Sequence, residues 1–150
     1  MEELRHQKTQ LTQEHEAIRA QVQLLLSSLA DSVKRQTAAS GQLGGNLSEI
    51  RAYQLRMYDL RDGFNQHIEL DERLITHLHL GGAGERLGEE HQAIRDRVSQ
   101  AVHLVDKAVD HYLDQITMAE FRSALSQELA AIRVQVESHT KTEDRLFGSS

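Results

Sequence analysis

Two stretches of the chain set a histidine four residues ahead of an acid: His67 with Asp71, and His139 with Glu143. On a helix that spacing puts imidazole and carboxylate on one face, one turn apart. Two further histidines, His15 and His91, sit in matching surroundings, Glu14-His15-Glu16-Ala17-Ile18-Arg19 and Glu90-His91-Gln92-Ala93-Ile94-Arg95. The acid-bearing stretches match each other as well, His67-Ile68-Glu69-Leu70-Asp71-Glu72-Arg73-Leu74 against His139-Thr140-Lys141-Thr142-Glu143-Asp144-Arg145-Leu146. With Cys 0, disulfides, thiolate ligation and thiol redox relays are excluded, so any metal must be held by His, Asp or Glu. The candidate chemistry is metal binding by His15, His67, Asp71, His91, His139 and Glu143.

The elements that must carry these residues are helices. Pro 0 and Gly 9 leave little to interrupt the helical hydrogen-bond ladder. Breakers cluster at Ala39-Ser40-Gly41-Gln42-Leu43-Gly44-Gly45-Asn46 and at Gly81-Gly82-Ala83-Gly84, with a weaker joint from Asp114 to Thr117. Asn46 with Glu49, and Thr117 with Glu120, have the spacing of a capping box, so helices are expected to start there. Four segments result, each with inward positions spaced alternately by three and four residues. The first stripe is Leu11, His15, Ile18, Val22, Leu25, Leu29, Val33; the second is Met57, Leu60, Phe64, His67, Asp71, Leu74, Leu78. The third is Leu87, His91, Ile94, Val98, Val102, Val105, Val109; the fourth is Leu125, Leu129, Ile132, Val136, His139, Glu143, Leu146. The expected fold is all-α, an antiparallel up-and-down four-helix bundle built from a duplicated helical hairpin, with one domain over residues 1–150.

In such a bundle His15 lies roughly 23 residues before the end of its helix and His67 roughly 21 after the start of the next, a rise of about 32–35 Å each way. The same count holds for His91 and His139, so all four imidazoles meet at one level near the Gly81 to Gly84 turn. Four imidazoles and two carboxylates buried in one layer would cost several kcal/mol each without compensation, which metal ions supply. Facing helices of a bundle build two-metal centres in this way. By the internal symmetry one ion takes His15 and His67 and the other His91 and His139, with Asp71 and Glu143 bridging both. Acids at +4 from the histidines keep the inward face while those at +5 turn about 100° further, which favours Asp71 and Glu143 and leaves Glu72 and Asp144 as alternatives.

The remaining histidines, His6, His77, His79, His103 and His111, fall beside the stripes or far from the site level and read as surface residues. Arg19 and Arg95, one turn after His15 and His91, read as surface arginines, with hydrogen bonding to a bridging carboxylate as the alternative. Tyr53 is about 21 Å along the axis from His67 and reads as core. Ile18, Phe64, Ile94 and Val136 lie one turn from the candidate ligands, where they could wall a pocket for a diatomic gas. A net charge of −6 with dispersed Lys and Arg gives no basic stripe for nucleic acid. Met1-Glu2-Glu3-Leu4-Arg5 is charged, with no apolar run after it, so neither a signal peptide nor a membrane span is expected, and the expected location is cytoplasmic.

A lone His, then a His followed four residues later by an acid, then both again: in this the sequence resembles the hemerythrin-like, or HHE cation-binding, domain family over essentially the whole chain. The resemblance implies a non-haem pair of iron ions with an oxo or hydroxo bridge. It further implies binding or activation of dioxygen, peroxide or nitric oxide, as sensor, scavenger or store. The sequence departs from the oxygen-carrier hemerythrins at Arg95, where those proteins have a second His one turn after His91, and at Asp71, where Glu is commoner. Two imidazoles per iron would leave open positions on both ions. Peroxidase- or oxidase-type turnover is the nearest alternative, and a metal-stabilised interaction bundle holding zinc or manganese, without redox function, is the third.

Overall fold

A computed structural model describes residues 2–36, 43–78, 81–111 and 118–148 of the chain. Four helices account for nearly all of them: α1 (Glu2–Gln36), α2 (Leu43–Leu78), α3 (Gly82–His111) and α4 (Met118–Glu143). A π-helical turn, Asp144–Gly148, continues α4. At about 1.5 Å per residue α1 and α2 are each about 50 Å long. Packing joins α1 to α2, α2 to α3, α3 to α4 and α4 back to α1, closing an antiparallel up-and-down ring. There is no strand among the described residues, and none of their helices is long and apolar enough to cross a membrane.

One helix start differs in detail from expectation. α2 begins at Leu43, three residues ahead of Asn46, so Gly44 and Gly45 lie in its first turn. Glu49 lies past the first turn of α2, and its carboxylate accepts from Tyr53 Oη at 2.7 Å and from Arg122 Nε and Nη2 at 2.8 and 2.7 Å. The joint expected from Asp114 to Thr117 lies outside the described residues, which resume with α4 at Met118. α3 begins as expected at the glycine-rich turn. Gly81 adopts φ +60°, a conformation costly for any side chain with a Cβ. Its carbonyl accepts the first helical bond, from Glu85 N at 3.1 Å.

The inward stripes are the core. Of their 28 seats, Leu78, Val109 and Leu146 are half-buried, Val33's side chain lies outside the described set, and the rest are buried. The apolar seats divide into two clusters. The larger one runs along most of the bundle, from Ile50, Tyr53 and Phe121 to Ile18, Phe64, Ile94 and Val136. The smaller one closes one end with Leu11, Leu70, Leu74 and Leu87, against which Ile75, Leu78 and Leu146 pack. Burial of each such aliphatic side chain contributes about 1.5–3 kcal/mol, the main force aligning the helices. Polar ties fix register: Arg56 Nη1 donates to Ser28 Oγ at 2.6 Å between α1 and α2, and Gln54 Nε2 to Asp106 Oδ1 at 2.9 Å between α2 and α3. At the end far from the smaller cluster, buried Arg122 of α4 grips Glu49 of α2 with two hydrogen bonds.

Candidate metal centre

Between the two apolar clusters lies one polar layer. It receives His15 from α1, His67 and Asp71 from α2, His91 from α3, and His139 and Glu143 from α4, each no more than 4% exposed. Those are the six residues singled out by spacing, and every one occupies its inward seat. Glu72 and Asp144, one position further on, are exposed, as the 100° step per residue requires. His6, His103, Arg19 and Arg95 are exposed too. The side chains of His77, His79 and His111 lie outside the described residues. Tyr53 is buried at the far end, as expected of a core residue.

Glu143 is the hub. Its Oε2 lies 2.5 Å from His15 Nε2, while its Oε1 lies 3.1 Å from His67 Nε2, 3.5 Å from His91 Nε2, and in close contact with His139 Nε2. Asp71 approaches with one oxygen only: Oδ2 is 2.6 Å from His91 Nε2, 3.2 Å from His67 Nε2 and 3.5 Å from His139 Nε2. The rings pair as the repeat suggests, with centroids 4.6 Å apart for His15 and His67 and 4.6 Å apart for His91 and His139. Across the pairs, His67 stands 6.1 Å from His91 and 6.0 Å from His139.

Two further carboxylates, which the sequence reading left without a role, complete the arrangement. His67 Nδ1 donates to Glu14 Oε1 at 3.2 Å, and His139 Nδ1 donates to Glu90 Oε1 at 2.8 Å. Each acid is the residue immediately before the lone histidine of its half. An ionised carboxylate only accepts, so it fixes the proton on Nδ1 and leaves Nε2, on the site side of the ring, as the donor atom. The signal was present in the repeated Glu-His pairs at 14–15 and 90–91.

Electrostatically the layer holds protons strongly. Burial disfavours charge on His67, but hydrogen bonds to Asp71, Glu14 and Glu143 outweigh it and raise its pKa from 6.5 to about 11. Burial is likewise overcome at His139, where Asp71, Glu143 and Glu90 raise the value to about 10. His91 moves up against burial through Asp71 and Glu143. Burial alone would raise Glu143, yet hydrogen bonds from His139, His15, His67 and His91 hold its carboxyl far below the usual range. These protons occupy the lone pairs that a metal ion would use, so the two compete for one set of atoms.

The donor set suits metal. One ligand atom from each of His67, Asp71, His91, His139 and Glu143 lies within 4.8 Å of all the others, and His15 joins through Glu143. Asp71 Oδ1 is buried and has no hydrogen-bond partner. An unsatisfied buried carboxylate oxygen is costly and marks a position that a cation would satisfy. Imidazole and carboxylate together are ligands of iron, zinc and manganese.

The walls are apolar. Phe64 stands 6.1 Å from His67 and 6.4 Å from His91 by ring centroids, and Ile18, Ile94 and Val136 are buried one turn from the histidines. Ile94 takes the inward seat after His91, whereas Arg95 stands outside, on a groove of about 370 Å³ lined also by Arg61, Phe64, Asn65, Glu69, Val98 and Ser99. Phe64 thus separates this open groove from the histidine layer.

Neither the curated proteins nor the solved structures contain a significant match to the chain. The family model of the hemerythrin HHE cation-binding domain matches residues 6–149. With a buried His, Asp and Glu layer at the family's spacing and a model match over nearly its whole length, the chain belongs to the hemerythrin HHE cation-binding domain family.

Proposed function

We propose that this layer holds two iron ions and that the protein binds or activates dioxygen or a related small oxidant such as peroxide or nitric oxide. His15 and His67 hold one ion and His91 and His139 the other, while Asp71 and Glu143 reach both. When bound, the ions supply Lewis acidity and one-electron redox steps that imidazole and carboxylate lack. Glu14 and Glu90 keep the Nδ1 protons of His67 and His139 in place. The leucines of the end cluster and Phe64, Ile18, Ile94 and Val136 keep bulk water from the layer. The observation that carries this reading is the burial of six ligand-capable side chains at one level with Asp71 Oδ1 unsatisfied. A cytoplasmic sensor, scavenger or store is the expected setting.

Peroxidase- or oxidase-type turnover is the second reading. It is favoured by Arg95, which is exposed at the position where the oxygen-carrier hemerythrins have a second His, so that α3 offers the layer one imidazole only. Optical spectra test the proposal. Iron-loaded protein should show visible charge-transfer bands that respond to dithionite, azide and peroxide. A colourless, metal-loaded protein indifferent to all three would favour a structural zinc or manganese site.

A further inference from the structure

The internal repeat relates Glu143 to Asp71, His139 to His67 and His91 to His15, so a symmetric site would give each contact in one half a counterpart in the other. Three pairs of contacts match. Each acid touches the histidine four residues before it. Each reaches the lone histidine of the opposite half, at 2.5 Å for Glu143 with His15 and 2.6 Å for Asp71 with His91. Each also approaches the acid-paired histidine of the opposite half, at 3.1 Å for Glu143 with His67 and 3.5 Å for Asp71 with His139.

The fourth pair is broken. Glu143 reaches back to His91 of its own half at 3.5 Å, whereas no such contact joins Asp71 to His15 among the described residues. Chain length explains this. Glutamate divides its work, Oε2 to His15 and Oε1 to the other three rings, while aspartate, one methylene shorter, puts Oδ2 toward three rings and leaves Oδ1 without a partner. The compact group of five ligand residues includes His67, Asp71, His91, His139 and Glu143 but not His15.

Taking the centre as a two-ion site, as proposed above, we propose that its two positions are unequal. The position served by His91 and His139 fills first, because both carboxylates reach both of its imidazoles. The position served by His15 and His67 fills second, because among the described residues Glu143 is the only acid that reaches both. Charge count among the ligands tunes cation affinity over decades, and the expected gap is a factor of about ten or more in dissociation constant.

Anaerobic titration of the full, metal-free chain with ferrous iron, followed by calorimetry, tests this. Two steps of one ion each, separated at least tenfold, are expected. His15→Ala should keep the first step and lose the second. Asp71→Glu, which restores the missing methylene, should narrow the gap, with circular dichroism verifying the helices of both variants. A single two-ion step in the unmodified chain, loss of both steps in His15→Ala, or an unchanged gap in Asp71→Glu would overturn the inequality and leave the two-iron reading standing. A folded chain that takes up no iron would overturn both.

Discussion

His139 Nδ1 donates to Glu90 Oε1 across 2.8 Å, from α4 to α3, and the other half of the bundle repeats this bond between His67 and Glu14. The bond is a property of the hairpin, since each acid-paired histidine is oriented by the residue that precedes the lone histidine on the neighbouring helix. Removing such an orienting carboxylate typically weakens metal affinity about 10–100-fold. Glu90→Ala and Glu14→Ala should each do so, with Glu90→Gln milder because an amide oxygen can still accept. Competition with a chelator measures it, and unchanged affinity in both alanine variants would show that the bonds do not support the site.

Asp71 and Glu143 should separate cleanly from their exposed neighbours. Glu143→Ala should disturb both ions and be the more damaging change, because Glu143 contacts all four imidazoles and Asp71 only three. Glu72→Ala and Asp144→Ala should be nearly silent, within about 0.5 kcal/mol in stability, as is usual for exposed sites. Mössbauer spectra of the iron-loaded variants would report the environment of each ion. Loss of the centre in Glu72→Ala with Asp71→Ala intact would reverse the assignment.

Without metal, the protein's stability should fall as pH rises. His67 and His139 have folded pKa values of about 11 and about 10 against 6.5 for an ordinary imidazole. Their stabilisation is therefore complete below pH 6.5 and is lost as pH rises through 10 and 11. Glu143 acts oppositely, since its depressed value gives stability that is present above 4.5 and lost as pH falls. Thermal unfolding of the metal-free chain should show a midpoint that declines from pH 7 to pH 10, and a flatter profile once metal replaces the protons. A flat or rising profile without metal would contradict this account of the layer.

The far end of the bundle should be separable from the site. Arg122→Ala breaks the two-bond grip on Glu49 and should cost about 2–3 kcal/mol, below the ~3–5 typical of a fully buried pair, because Glu49 keeps some water access and its bond from Tyr53. Denaturant unfolding measures the loss. Metal stoichiometry should stay unchanged, and its collapse would mean that the two ends are coupled.

Much of this molecule could be read from residue spacing. The three-and-four steps that place Val22 and Leu25 inward also place His67 and Asp71 inward, because one helical period governs both, and the choice of Asp71 over Glu72 follows from the same step. Contacts between helices were less legible. Neither the Glu90 to His139 bond nor the Arg122 to Glu49 grip follows from periodicity, since each depends on which helix lies beside or across from which and on how far a side chain reaches. Asn46 and Glu49 have the spacing of a capping box, yet α2 starts at Leu43 and Glu49 spends its carboxylate on Tyr53 and Arg122. Arg95 keeps the departure noted at the third helix, with Ile94 in the inward seat, so an imidazole introduced at 95 would face the groove between α2 and α3.

The central claim is that six buried side chains hold two iron ions, and metal content per chain tests it most directly. After expression in iron-supplemented medium, the unmodified protein should carry two irons, and His67→Ala and His139→Ala should each lose most of that metal. A folded chain without iron, or two variants with unchanged stoichiometry, would contradict it.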